Sequence, residues 1–288
     1  MSRSVIALMW LLHFLPLPLL AAIGNAVGAA AFWLVRERRE VTRINLAKCF
    51  PAMEPQARER IARAHFRAFA RSLLERGILA WASGERIDRL VRLRGLEHLR
   101  ALEGHPVLLL APHFVGLDAG VTRLTRATRI AGIYAVQKDP QLSALFLRIR
   151  ARFSDTEQIS RQEGVRAAVA AIRSGRPFYY LPDQDYGARD SVFVPFFGVP
   201  AATVTALSRL ARITGARVLP CVTRILPGGA GYAVTIEPPW ENFPTADPVA
   251  DTRRMNEYIE RRVLEAPEQY LWMHKRFKTR PPGEERFY

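Results

Sequence analysis

Pro106-Val-Leu-Leu-Leu-Ala-Pro-His113-Phe-Val-Gly-Leu-Asp118-Ala-Gly120 is the stretch from which the rest of the chain can be placed. The apolar run 107–111 is too short for a stable helix and stops at Pro112, which marks a buried strand. From Phe114 onward, Phe114, Leu117, Val121 and Leu124 recur at helical spacing. Positions five apart on an ideal helix point about 140° away from each other, so His113 and Asp118 would diverge in mid-helix. With His113 at the strand exit and Asp118 in the first helical turn, the two can meet. An imidazole oriented by a carboxylate is a general base, and a helix N-terminus beside it favours developing negative charge. His113 and Asp118 are therefore the candidate catalytic pair. The plain alternative is a surface or capping pair, since His and Asp five apart also arise by chance.

Around this stretch, strand-like and helix-like segments alternate. Strands are expected over 106–111, 130–136, 177–182, 217–225 and 231–237. Helices are expected over 114–127, 140–152, 163–174, 200–213 and 248–265. That alternation predicts an α/β fold, a central mixed sheet flanked by helices. Gly228-Gly229-Ala-Gly231 reads as a turn between the last two strands and not as a phosphate loop. Residues 54–82 read as one helix, with Arg60, Arg63, Arg67 and Arg71 on one face and Phe66, Phe69 and Leu73 on another. The arginine stripe is either a solvated face or a surface for anionic lipid.

Residues 4–35 contain no Asp, Glu, Lys or Arg. About 20 apolar residues suffice to span a bilayer, and this run is too long for the apolar part of a signal peptide. Pro16 and Pro18 divide it, which predicts a transmembrane helix from about Leu19 to Val35, with 4–15 spanning further or lying in the interface. Arg36, Arg38, Arg39, Arg43 and Lys48 follow, against only Arg3 before. The positive-inside rule then puts the remainder on the cytoplasmic side of a membrane. Residues 1–50 are expected to be a membrane anchor with a basic juxtamembrane segment, and 51–288 one catalytic domain. The alternative is a buried apolar hairpin in a soluble protein.

The 288-residue chain carries a formal charge of +15 with a pI near 10.7. Such a balance calls for anionic partners. Lysine occurs only at 48, 138, 275 and 278, so the cationic charge is nearly all arginine, which binds phosphate in a bidentate fork. Cys49 and Cys221 have no metal-ligand spacing and are expected to be free thiols.

Three further stretches carry candidate chemistry. Arg161-Gln-Glu-Gly164-Val-Arg166 puts two arginines at a helix start, where a phosphate can bind or a surface turn can simply be salt-bridged. Tyr179-Tyr-Leu-Pro-Asp183-Gln-Asp185-Tyr-Gly187 delivers two acids at the C-terminal end of a strand, where α/β sites lie. No neighbouring ligands complete a metal set around this DxD pattern, so no metal is expected. Phe193, Phe196 and Phe197 beyond it either line an acyl channel or fill the core. Trp272-Met-His-Lys275-Arg276-Phe-Lys-Thr-Arg280-Pro281 interleaves aromatics with four positive charges, as a phosphate or headgroup site at a membrane does. A nucleic-acid patch is the rival reading, disfavoured by membrane tethering.

These motifs together resemble the late acyltransferases of lipid A biosynthesis, the lauroyl/myristoyl acyltransferases of Gram-negative inner membranes. The resemblance runs over nearly the whole chain. It rests on Arg43-Ile-Asn45-Leu, Cys49-Phe-Pro51, His113-Phe-Val-Gly-Leu-Asp118, Pro182-Asp-Gln-Asp-Tyr-Gly187, Pro195-Phe-Phe197 and Ala266 through Pro281. The His-x-x-x-x-acid motif is shared by many glycerolipid acyltransferases; the Pro-Asp-Gln-Asp-Tyr-Gly and Trp-Met-His-Lys-Arg-Phe-Lys motifs are far more specific. Two departures stand out. Many members have Glu where this chain has Asp118. The Tyr-Arg-Pro that often follows the second strand is replaced by Tyr134-Ala-Val-Gln-Lys138-Asp-Pro140, where Lys138 is a candidate substitute for the missing charge.

The resemblance implies a glycerolipid-acyltransferase-like fold and a membrane enzyme. It would move a fatty acyl group of the laurate or myristate class from acyl carrier protein to a hydroxyl of a 3-hydroxyacyl chain on a lipid A precursor. It implies a catalytic role for His113 and Asp118. Substrate contacts are expected from Arg43, Asn45, Arg161, Arg166, Asp183, Asp185, Lys275 and Arg276. The partners are acyl carrier protein, an anionic glycolipid and the membrane, with no nucleic acid. No cofactor is expected beyond the phosphopantetheine on the carrier protein, and the chain has no Gly-x-Ser-x-Gly nucleophile elbow. Two other functions fit the same residues: acylation of an aminolipid or glycolipid, and non-enzymatic binding of anionic lipid.

Overall fold

In the computed structural model, which describes residues 2–134, 139–160 and 163–288, the central apolar run is strand β2 (Val107–Leu110). Its residues alternate between two cores. Leu108 and Leu110 join one buried cluster; Val107 and Leu109 join another on the opposite face. A strand buried on both faces needs helices above and below, and this chain supplies them.

The seven-stranded sheet is built from β1 (Val91–Arg94), β2, β3 (Ala131–Tyr134), β4 (Glu157–Ser160), β5 (Phe178–Tyr180), β8 (Arg217–Ile225) and β9 (Tyr232–Ile236). Their order is β1-β9-β8-β2-β5-β3-β4. Every neighbouring pair is parallel except β8–β9, joined through Pro227–Gly229, which makes the sheet mixed as expected. The four-residue strands β1 and β4 escaped the sequence pattern, being too short to carry a period.

One expected helix is corrected. Residues 200–213 divide into a strand and a helix: β6 (Ser191–Phe196) and β7 (Val199–Val204) form a separate hairpin, and the helix, α10, runs only over Ala206–Thr214. Val-Pro-Ala-Ala-Thr-Val is β-branched enough to pair. The hairpin turns through Phe197 and Gly198, both at positive φ (51° and 78°), the geometry of a tight two-residue turn. The Phe197 N–H is held by Glu260 Oε1 at 3.0 Å. Phe196 is fully buried, so this part of the motif fills core.

At the N-terminus, α1 (Ser2–Leu12) and α2 (Leu17–Leu34) are followed by α3 (Arg36–Cys49) and the long α4 (Pro55–Trp81). The 18-residue α2 is long and apolar enough to cross a membrane, and a third of it is buried within the protein. Its small residues explain how. A Cβ on Gly24 would lie 2.8 Å from Arg71 Cα, and one on Gly28 would lie 2.5 Å from Arg67 Cα and 2.6 Å from Phe66 O. Two glycines one turn apart thus let α2 lie directly on α4. The arginine stripe of α4 faces this contact in part. Arg71 is buried and bound to Glu75 at 3.0 Å, whose carboxylate also accepts a hydrogen bond from the Tyr232 hydroxyl. Arg63 lies over the rings of Phe32 and Trp33. The opposite side of α1 and α2 exposes Leu8, Trp10, Leu11, Phe14, Leu19, Trp33 and Leu34.

Gly28→Leu is expected to destabilise the protein by about 1–3 kcal/mol through overpacking against backbone that has no room to retreat. A fall in Tm in detergent, with faster proteolysis between α2 and α3, checks this; an unchanged Tm refutes the docked geometry.

Candidate active site

Strand β2 ends at Pro112 and hands His113 to the loop before α7 (Leu117–Thr125). The loop is clamped from two directions. On one side the C-terminal segment runs alongside: Val115 N–H donates to Gln269 O at 2.8 Å and Leu271 N–H to His113 O at 3.0 Å. On the other, Asp183, just past the end of β5, takes the His113 backbone N–H at 3.0 Å and its ring Nδ1 at 2.7 Å. The Asp183 side chain is wholly buried. Burial alone pushes its carboxyl up. The charge and hydrogen bonds of His113, with a further pull from Arg276, outweigh that and hold it below the usual carboxylate range. An ionised carboxylate only accepts, so Nδ1 carries the proton and Nε2 carries the lone pair. Nε2 has no hydrogen-bond partner among the described residues, and the side chain is 13% exposed.

The expected His113–Asp118 hydrogen bond is therefore replaced by His113–Asp183. Asp118 sits in the first turn of α7, as anticipated, but is bonded to Arg76 of α4 through Nε at 2.8 Å and Nη2 at 2.6 Å. Arg150, the last residue of α8 (Pro140–Arg150), stands 3.9 Å away. Burial raises the Asp118 carboxyl, and the two guanidiniums, with a smaller pull from His113, bring it below its ordinary value. His113 and Asp118 still face one another's space, since both line a cavity of about 300 Å³. Ser72, Arg76, Arg150 and Gln184 join them on its polar side; Phe69, Leu79, Leu117, Phe146, Leu181 and Leu271 form an apolar side. Arg76 and Arg150 had no signal in the sequence beyond being arginines, and neither lay in a motif.

The other candidate residues are mostly occupied inside the fold, a correction to their expected place at substrate. Asp183 holds His113. Asp185 accepts from Thr279 N–H, from the Thr279 hydroxyl at 2.8 Å and from Gly187 N–H at 2.9 Å, while its own N–H donates to His274 Nε2 at 3.0 Å. The two acids thus lock a loop and a tail. Asn45 is fully buried and donates to Trp272 O and His274 O, both at 2.8 Å, and accepts from the Tyr288 hydroxyl. Arg276 is 2% exposed and donates to Ala202 O and the Thr203 hydroxyl. These residues need their partners because a buried unpaired polar group is costly. Arg43 is bound to Glu59 through two bonds, at 2.8 and 3.0 Å. Lys275 is half-buried and 3.3 Å from Glu37. Arg166 is exposed on α9 (Gly164–Arg173), and Arg161 and Lys138 lie outside the described residues.

Two histidines pin the tail as neutral groups. Burial, with the charges of His113 and Arg276, lowers His274 to about 4 despite Asp183 and Asp185. Burial likewise lowers His65 to about 4, against a weaker opposing bond from Nδ1 to Glu268 O at 3.0 Å. Both take up a proton more readily when unfolded, near pH 6.5. Their contribution to stability is therefore complete above pH 6.5 and drains away as pH falls towards 4, at about 1.4 kcal/mol per pH unit for each proton. Unfolding followed between pH 7 and pH 4 is expected to show this loss, with a shallower slope in His65→Asn; an identical slope refutes a neutral buried His65.

A carboxylate-oriented imidazole with a free Nε2, beside a cavity that is apolar on one side and cationic on the other, can deprotonate a hydroxyl on a lipid-like, anionic molecule. The comparisons agree in class. The sequence profile for bacterial lipid A biosynthesis acyltransferase matches residues 3–279, and the chain belongs to that family of enzymes. It is 33% identical over 281 residues to the lipid A biosynthesis lauroyltransferase of Escherichia coli K12, spanning 96% of this chain and 91% of that one. It is 31% identical over 286 residues to the lipid A biosynthesis palmitoleoyltransferase of the same organism, spanning 98% and 92%. Among solved structures, the 1-acyl-sn-glycerophosphate acyltransferase of Thermotoga maritima aligns with 86% of this chain and 98% of its own, with a TM-score of 0.42 and 15% identity. Relatives of nearly equal identity thus carry names with different acyl groups.

Proposed function

We propose that this acyltransferase transfers a medium- or long-chain fatty acyl group from acyl carrier protein to the hydroxyl of a 3-hydroxyacyl chain on a lipid A precursor, at the cytoplasmic face of the inner membrane. The observation that carries the mechanism is the Asp183-bound His113 opening into the apolar-walled cavity. A thioester already has a good leaving group; the weak reactant is the alcohol. His113 Nε2 takes the hydroxyl proton as the oxygen attacks the thioester carbonyl. Asp183 keeps the ring in the correct tautomer and stabilises the imidazolium that forms. Asp118, across the cavity, is paired with Arg76, so its part is to hold that guanidinium at the cavity wall and to draw Arg150 towards it. The imidazolium then returns the proton to the departing thiolate. No covalent acyl-enzyme is required.

The surface charge supports the partners. An excess of +15 attracts an acidic carrier protein and a phosphorylated acceptor, and Arg166 and Lys275 are still placed to contribute. The exposed apolar side of α1 and α2, followed by the basic α3, suits a cytoplasmic-side anchor.

The test is mass spectrometry of lipid A from a deletion strain complemented with wild type or with His113→Ala. Loss of one secondary acyl chain, restored only by wild type, is the expected result and identifies the chain transferred. Unchanged lipid A in the deletion strain, with a different acylated lipid missing, overturns the acceptor.

A further inference from the structure

We propose that Arg150 is a catalytic residue that binds the oxyanion formed during acyl transfer; the inference rests on the acyl-transfer reading above.

The geometry around Asp118 leaves one guanidinium unspent. Arg76 is committed to Asp118, with Nε donating at 2.8 Å and Nη2 in ion-pair contact at 2.6 Å. Arg150 is only drawn towards the same carboxylate, at 3.9 Å, beyond hydrogen-bond length. Its guanidinium donates no hydrogen bond to any described residue, and its side chain is 30% exposed at the cavity wall. A guanidinium has five donors in a rigid fork, so an idle one in a cavity wall is available to a ligand oxygen.

Its position selects the oxygen. Arg150 also lines a smaller void of about 40 Å³ that shares Leu117, Val121 and Leu181 with the main cavity. This side arm is lined by residues of β3 and its neighbours β4 and β5, among them Ile133, Gln158 and Tyr179. Arg150 therefore stands where the polar space containing His113 narrows into an apolar one. An acyl group that turns the start of its chain towards this apolar arm places its carbonyl at the junction, between chain and base.

Charge makes the same selection. Asp118 neutralises one of the two guanidiniums, so Arg76, Asp118 and Arg150 together carry one uncompensated positive charge. That matches a single oxyanion. A phosphate monoester, close to two negative charges at neutral pH, would be left undercompensated.

The step balances as follows. The acceptor oxygen bonds to the carbonyl carbon and its proton passes to His113 Nε2. The carbonyl π pair moves onto oxygen, where the Arg150 N–H groups receive it. The pair then re-forms the carbonyl, the carbon–sulfur bond breaks, and the thiolate takes the proton from His113. Donors aimed at charge that appears only in the transition state raise kcat without tightening substrate binding.

Steady-state kinetics of the full chain, with acyl-acyl carrier protein and a lipid A precursor, test this on Arg150→Gln and Arg150→Lys. Arg150→Gln is expected to lower kcat by about 10²–10³ with both KM values within about twofold of wild type. Arg150→Lys keeps the attraction to Asp118, provides a folded comparison, and should fall between. Unchanged kcat in both variants overturns the proposal. So does a loss confined to KM for the acceptor, which would make Arg150 a ground-state phosphate contact. Inactive wild type with these substrates would instead sink the acyl-transfer reading itself.

Discussion

Replacing His113 with alanine is expected to lower kcat by about 10²–10⁴ or more while leaving the protein folded. The ring is 13% exposed, and its only hydrogen bond among the described residues is to Asp183, so its removal takes away a base and not a keystone of the core. The backbone N–H of residue 113 would still be held by Asp183, and the loop by Gln269 and Leu271. KM for both substrates should change little, because a base acts on the proton in flight and not on the bound ground state. Turnover close to wild type, measured with acyl-acyl carrier protein and precursor, would refute His113 as the base.

Asp183→Asn is expected to cost nearly as much, about 10³–10⁴ in kcat, by a different route. Asn matches Asp in size but turns one oxygen into an N–H₂ donor. Asp183 at present receives two N–H groups of His113, from the backbone at 3.0 Å and from the ring at 2.7 Å. Asn can satisfy one only with its oxygen. If the oxygen keeps the backbone, the amide faces Nδ1 and forces the proton onto Nε2, which abolishes the base. Asp118→Asn should also reduce turnover, but through the cavity's charge, and should leave the tautomer untouched. Nitrogen NMR of ¹⁵N-labelled histidine separates the two: Nδ1–H retained in Asp118→Asn, Nε2–H in Asp183→Asn. The same tautomer in both would show that Asp183 does not orient the ring.

The strand-to-histidine delivery was legible because β2 is a short run buried on both faces and ends at a proline. Asp118 was placed correctly in its first helical turn, since that follows from local spacing. Its bonding partner was not legible. Arg76 is 42 positions upstream, and Asp183 is 70 positions beyond His113. Spacing rules speak only to residues within one element, whereas the sheet joins the ends of β2 and β5 regardless of what lies between. Asp183 reads in the sequence as a strand-end acid at substrate, and a sequence does not say which way a carboxylate at a strand end faces. The same limit applies to Asn45 and Arg276: polar residues in a specific motif read as ligand contacts, and burial made them braces. The α2 glycines carried a readable hint, two small residues one turn apart, that this helix was built to lie against another.

One brace has a consequence for how the enzyme comes into being. Asn45 and Trp272, joined at 2.8 Å, are 227 positions apart. The tail they fix is also what lines up with residues 113–115. Ribosomes deliver the chain from the N-terminus at about 5–20 residues per second, so the base and its carboxylate leave the ribosome several seconds before the strip that clamps them. The apolar helices α1 and α2 can fold and find their place while the loop at residues 113–115 is still unbraced. The loop that carries His113 is thereby braced only once residues 269–274 have been made, long after α1 and α2.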